Sequence, residues 1–198
     1  MKKRTLITIA ATGILLAACI PSVHRYYTEK DVVFDPKLLG EWQEKDKAEE
    51  PQIWKFEASK DKAYSLTVME KEGKRGEFEA HLFKLKQDYF LDIVATEIGT
   101  NVSDLITASL IPGHLLLRVP QIGTELKLAM FDFDWFEKYL KEHPKSLAHY
   151  VENDRIVLTA ETADLQSFVL KHLGESELFP KPGEMVRRNK TANEPVGK

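Results

Sequence analysis

The sequence predicts a mainly β protein: an antiparallel meander closing into a barrel of roughly eight strands, with two short α-helices near the C-terminal end. Three observations predict it. Between residues 38 and 133, short apolar runs follow one another, each bounded by turn residues. Several alternate with a period of two, as a half-buried strand requires; Tyr64, Leu66 and Val68 do so against Ser65, Thr67 and Met69. Helical periodicity is confined to two later stretches, one starting near residue 134 and one near residue 162. Short sequential strands joined by tight turns suit a sheet that closes on itself and leaves no open edge.

Leu39-Gly40-Glu41-Trp42-Gln43 opens the series. The charged loop from Lys45 to Pro51 leads to Ile53-Trp54-Lys55-Phe56, and Ser59 to Lys62 turns the chain into the 64–69 strand. Glu72 to Gly76 reads as a hairpin loop. Beyond it, Phe78, Ala80 and Leu82 alternate with Glu77, Glu79 and His81. The apolar phase slips at Phe83 and Leu85, which predicts either a bulge or a strand buried on both faces. Gln87-Asp88 turns into Tyr89 to Val94; Gly99-Thr100-Asn101 reads as loop and Leu105 to Ile111 as a strand. Pro112-Gly113 precedes His114 to Val119, and Ile122-Gly123 precedes Glu125 to Phe131.

The first helix is expected to use Asp134 as its N-cap, with Glu137 completing a capping box. Phe136, Tyr139, Leu140 and His143 then share one face, and Pro144 stops the helix. Ala148 to Val151 and Arg155 to Thr159, joined by Asn153-Asp154, read as a second hairpin. Thr162 is expected to cap the final helix, with Asp164 in its first turn. Leu165, Phe168, Val169, His172 and Leu173 form its apolar stripe. After Phe179, the residues Pro180, Pro182 and Gly183 break regularity, and 189–198 reads as a disordered tail.

The N-terminus carries an export signal. Lys2, Lys3 and Arg4 precede the apolar run Leu6 to Leu16, and small residues Ala17 and Ala18 stand before the sole cysteine, Cys19. Leu16-Ala17-Ala18-Cys19 resembles the lipobox of bacterial lipoprotein signal peptides. The resemblance implies that the Cys19 thiol is alkylated with a diacylglycerol, that a peptidase cuts before Cys19, and that the new amino group is often acylated too. Residues 1–18 are then a removed signal, 19–37 a lipidated cysteine and tether, and 38–188 the barrel domain. Two other readings stay open: an uncleaved transmembrane helix over 5–23, and an ordinary signal with Cys19 there by chance. In lipoproteins of enterobacterial type an Asp after the cysteine retains the protein at the inner membrane. Ile20 stands there instead, which implies the periplasmic face of the outer membrane. No further apolar run is long enough to span a bilayer, and two or three acyl chains suffice for stable anchoring.

Taking 18 residues from 198 leaves 180, enough for one well-cored domain. Three of the 28 basic residues are lost with the signal, so 25 remain against 31 acidic ones. That balance argues against nucleic acid as a partner and against electrostatic adsorption to anionic lipid. With Cys19 committed to lipid, disulfide, thiolate–metal and cysteine-nucleophile chemistry have no residue to use.

Gly40-Glu41-Trp42 is similar to the G-x-W that opens lipocalin barrels. There the Trp packs across the barrel floor and the Gly admits the sharp turn of the backbone. The chain therefore resembles a lipocalin-like β-barrel, although typical lipocalins have no helix where 134–143 falls. It also resembles a recurring type of bacterial lipoprotein that brings no known activity with it. A Trp-containing first strand, a D-W-F helix at Asp134-Trp135-Phe136, the segment Leu158 to Thr162 and the helix motif Leu165-Gln166-Ser167-Phe168 carry that likeness.

No residue set declares a reaction. Asp132-Phe133-Asp134 has the D-x-D form, but its position reads as a strand end and a helix cap. The six histidines, 24, 81, 114, 143, 149 and 172, show no zinc spacing, so neither metal nor cofactor is expected. No serine-hydrolase or phosphate-loop motif occurs. The leading expectation is a non-enzymatic envelope lipoprotein whose barrel, lined by Trp42, Trp54, Phe56, Tyr64, Leu66, Phe78 and Leu91, holds a small apolar molecule such as a lipid or fatty acid. The alternative is a structural or assembly partner of another envelope protein, with those same side chains filling the barrel. An enzyme with an unrecognised site is the third.

Overall fold

The computed structural model describes residues 19–47, 49–97, 103, 110–152 and 155–188. Eight strands close into an antiparallel barrel: β1 (Gly40–Glu44), β2 (Ile53–Ala58), β3 (Tyr64–Met69), β4 (Arg75–Leu85), β5 (Asp88–Ala95), β6 (His114–Ile122), β7 (Glu125–Met130) and β10 (Gly183–Arg187). β8 (His149–Glu152) and β9 (Arg155–Leu158) form a separate hairpin, flanked by helices α1 (Phe133–Glu142) and α2 (Thr162–His172). The fold class is the one the sequence predicts. The apolar run 6–16, the loop at 99–101, the turn at 153–154 and the tail 189–198 lie outside the described residues.

Seven barrel strands are the sequential meander, and the eighth comes from a stretch with no strand signal. β10 follows directly on Pro180 and Pro182, and completes the barrel between β7 and β1. Gly183 pairs with Leu128, Glu44 with Met185 and Trp42 with Arg187. The two prolines lack an N–H but stand before the strand, where no ladder bond is needed. With only five residues, of which Met185 alone is buried, β10 is too short to display a period.

The apolar slip at Phe83 and Leu85 resolves as burial on both faces. Pairing of β4 with β5 is continuous from Phe78↔Ala95 to Leu85↔Asp88. Ala80 and Leu82 face the barrel interior, whereas Phe83 and Leu85 belong to a second hydrophobic cluster on the outer wall. A register shift occurs instead between Arg118 and Gln121 on β6, beside Pro120. Of the strand expected at 105–111, only Leu110 and Ile111 are described; both are exposed and outside any strand.

The segment 20–37, expected as a tether, is packed onto the barrel. Ile20, Ser22, Tyr26, Tyr27 and Val32 are buried. Ser22 exchanges backbone bonds with His114, Val33 N–H donates to the Leu82 carbonyl, and Lys84 N–H donates to that of Asp31. The reason is the outer wall. Phe83, Leu85, Phe90, Leu116 and Ala129 point outward from β4 to β7, and this segment covers them together with both helices and the β8–β9 hairpin. An irregular chain buries side chains at irregular spacing, so it shows no period.

Both helix caps sit differently from expectation. Asp132 caps α1, its carboxylate accepting from Trp135 N–H at 2.8 Å, and Asp134 lies exposed in the first turn. Phe136 and Leu140 are buried on its inner face, while His143 ends the helix exposed, just before Pro144. At α2 the N-cap is Glu161, without a side-chain cap bond. The Thr162 hydroxyl instead donates to the Arg25 carbonyl at 2.7 Å, tying the helix to the N-terminal segment. Leu165, Phe168, Val169 and His172 are buried along α2.

Candidate membrane-attachment site and barrel interior

The seven side chains expected to line the barrel are brought together inside it. Trp42, Trp54, Phe56, Tyr64, Leu66 and Leu91 are buried, and Phe78 packs partly buried against them. They come from five successive strands because alternate residues of each face inward. Leu82, Ile93, Leu117, Val119, Leu126, Leu128 and Met185 complete the cluster. Phe56 meets Tyr64 edge-on at 6.1 Å between centroids, and Trp54 lies 6.1 Å from Phe56.

One end of this interior is closed by its own polar chemistry. A 3-10 turn, Pro36–Leu38, is capped by Asp35 and drives Leu38 into the cluster. Trp42 Nε1–H donates to the Leu38 carbonyl at 2.8 Å. The Arg187 guanidinium lies 3.9 Å from the centre of the Trp42 ring and donates to the carbonyls of Leu39 and Lys37. Cation–π attraction and two carbonyl bonds therefore lock the last strand over the first. Gly40 has φ +108, and a Cβ there would sit 2.8 Å from that guanidinium, so the turn into β1 needs glycine. The Tyr64 hydroxyl accepts from Asp35 N–H at 2.8 Å, and burial pushes its pKa up. Trp54 Nε1–H donates to Gln52 Oε1 at 3.0 Å. The polar atoms of these aromatics are thus used by the protein itself.

Clefts lie outside the barrel. One of about 690 Å³ runs between α1 and residues 175–181, over Trp135 and Tyr139. Another of about 490 Å³ lies between α2 and residues 145–148, and a charged one of about 310 Å³ adjoins Glu44 and Glu70.

Cys19 stands where the chain meets the fold. It is partly buried, and burial raises its thiol pKa, which disfavours the thiolate. Its neighbour Ile20 is only 3 % exposed. Ser22 N–H donates to the His114 carbonyl at 2.9 Å and His114 N–H donates back at 2.8 Å. On the other side, Val23 N–H donates to the Leu158 carbonyl and Leu158 N–H to that of Pro21. The segment is therefore a short sheet element between β6 and β9.

A buried acid holds the following turn. Asp92, 1 % exposed on the outer wall of β5, accepts from Tyr26 N–H at 2.8 Å and lies 2.7 Å from His114 Nδ1. Burial raises the Tyr26 phenol far above its ordinary range, and the Asp92 charge adds to this. Gln166 of α2 donates to both the Tyr26 carbonyl and Asp31, at 2.9 Å each. Burial pushes the Asp31 carboxyl up, but hydrogen bonds from Thr28 and Gln166 outweigh it and leave the pKa lowered. His81 stacks on Tyr27 at 4.5 Å, so it is a wall residue under the N-terminal segment. Sequence reasoning missed Asp92 and His114 as a pair. The signal was an acid inside Phe90-Leu91-Asp92-Ile93-Val94, because a charge set in an apolar strand needs a partner.

No family model, curated protein or solved structure matches the chain. The closed eight-stranded antiparallel barrel is compatible with a lipocalin-like fold. Among the described residues no helix is long and apolar enough to cross a membrane, a statement that leaves β-barrels aside.

Proposed function

We propose that the protein is a lipid-anchored lipoprotein of the bacterial cell envelope, held through acylated Cys19 on the periplasmic face of the outer membrane. In this reading its barrel is a rigid body for assembly with another envelope protein, and not a carrier of a small apolar ligand. Residues 1–18 are the signal that is removed.

The packing of side chains inside the barrel supports the choice between the two uses. Large side chains from every barrel strand meet in one cluster, and their hydrogen-bonding atoms are satisfied by Leu38, Gln52 and Asp35. A carrier of apolar ligands needs an empty volume of roughly 300 Å³ or more among such residues. The wall supports a peripheral attachment. Lys45, Glu125, Lys127 and Glu184 form an ion-paired ladder on the outer face of β7 and β10, where a membrane-spanning barrel carries an apolar band.

Two measurements test the reading. Cys19→Ser should abolish incorporation of labelled fatty acid and release the protein from membranes; unchanged labelling sinks the anchor. Native mass spectrometry of residues 20–198 should give a ligand-free mass. A co-purifying lipid bound one to one would return the barrel to the carrier reading.

A further inference from the structure

An anchor at Cys19 leaves the fold almost no tether, and this decides which surface meets the bilayer. Ile20 is already buried and residues 21–23 are already hydrogen-bonded into the sheet. The contact between Ser22 and Leu158 is parallel. Stepping back from Ser22 to Cys19 therefore runs with β9 from Leu158 back to Arg155, towards the turn end of the β8–β9 hairpin. Ile20 and Ile156 share the outer cluster, in keeping with this direction.

Past β9 lies β8, the outer strand of this small sheet. Its Tyr150 and Val151 are 56 % and 54 % exposed. Being consecutive, they face opposite sides of the ribbon, and two strand spacings, about 10 Å, separate β8 from the N-terminal segment. Tyr150 pairs with Val157 and Val151 with Ile156, one and two residues from Leu158 towards the turn, hence level with Pro21 and Ile20. β9 is buried through Ile156 and Leu158, whereas β8 is an open outer edge with its apolar pair in water, a feature that soluble domains ordinarily blunt. Tyrosine is also the side chain enriched where a membrane meets water.

We infer that the β8–β9 ribbon is a second membrane contact, seating Tyr150 and Val151 in the headgroup boundary of the bilayer that holds the Cys19 lipid. The inference rests on the acylated anchor proposed above. The acidic balance of the chain gives the ribbon no electrostatic pull towards anionic lipid, so it engages only after the anchor has delivered it. Its work is orientation. A lipid point and a ribbon point together fix the tilt of the barrel and turn the β2–β3 wall, opposite β6 in the strand order, away from the membrane.

The sole native cysteine makes the test clean. Once its sulfur is in a thioether, Val151→Cys supplies the one free thiol, which takes an environment-sensitive fluorophore. The full lipoprotein is reconstituted into phosphatidylethanolamine–phosphatidylglycerol vesicles containing a headgroup spin-labelled phosphatidylcholine. Quenching should be several-fold greater at 151 than at Lys60→Cys in the β2–β3 turn; equal quenching overturns the inference. Tyr150→Cys is a second reporter should the first variant misfold. A label at 151 already shielded in the unlipidated Cys19→Ser chain, without vesicles, would overturn it too, giving the ribbon to a second copy of the chain. Intact mass of the same preparation reads the anchor separately. An unacylated chain removes both claims, whereas an acylated chain with equal quenching removes the ribbon alone.

Discussion

The inside of the barrel and its covered outer wall share strands, yet they are assembled under different rules. Leu91 and Asp92 are neighbours on β5. Leu91 enters a cluster contributed by every strand of the barrel. Asp92 faces the other way, beneath Tyr26 and beside His114, in a layer built from the N-terminal segment, both helices and a hairpin. The inner core is a repeat of one local instruction, alternate residues apolar. The outer core is a single arrangement of unlike pieces, and it exists only where β4 to β7 offer outward apolar residues. On β1, β2, β3 and β10 the outer face carries Glu41, Lys55, Ser65 and Glu184, polar residues that offer an apolar layer nothing to pack on.

The contrast can be broken by mutation. Trp42→Ala should have the largest effect, removing the biggest fully buried side chain and the platform under Arg187. A loss of about 3–5 kcal/mol is expected, read as a lower urea midpoint with an unchanged slope. Phe136→Ala removes the centre of the outer core, where the ring lies 5.1 Å from Phe131 and 5.2 Å from Phe168. It should cost about 3 kcal/mol, because this layer has freer edges and collapses more readily. If the two cores are separable, hydrogen exchange will rise in α1, α2 and residues 20–33 while the barrel strands stay protected. Uniform loss of protection would make them one cooperative unit.

Asp92→Ala tests the seam between barrel wall and N-terminal segment at a single residue. It strips the acceptor from Tyr26 N–H and the partner from His114, and should cost about 2 kcal/mol, with faster exchange at residues 22–27. The smallest effect belongs to the solvated wall. The ammonium groups of Lys127 and Lys45 hold the Glu184 carboxyl down at about 2, against an ordinary 4.5. A carboxyl lowered in the folded state stabilises above its unfolded pKa, and that contribution is lost as pH falls through the folded one. Glu184→Gln should therefore flatten the acid limb of the stability profile between about pH 4.5 and pH 2 and leave the neutral fold intact. An unchanged acid limb would show that these exposed ion pairs contribute nothing.

Much of the barrel was legible because its signals are local. Tyr64, Leu66 and Val68 mark their strand within five residues, and Gly40-Glu41-Trp42 marks the floor within three. The slip at Phe83 and Leu85 was legible as two alternatives, which only the packing on the far side of the strand could separate. The cap of α1 was displaced because more than one side chain could reach that helix end. Asp132 and Asp134 flank the start of α1, and the loop from β7 selects Asp132. Of the candidate site, Cys19 and the seven interior residues could be named in advance, but not the ribbon beside Cys19, since its position depends on Ser22 meeting Leu158.

By itself, the sequence determined the mainly β class, inward residues on β1 to β5 and the one residue that resembles a lipid-attachment site. These follow from spacing within a few residues, which a chain carries whether or not it is folded. Only the tertiary structure decided the closure by β10, the laying of residues 20–37 over the wall and the gathering of side chains from all eight strands into one inner cluster. Each of those joins parts far apart in the chain, as Arg187 does in reaching Leu39 across 148 residues. Such a contact is favoured only once the surfaces it covers already exist, because it must first offset the entropy of closing the loop between them.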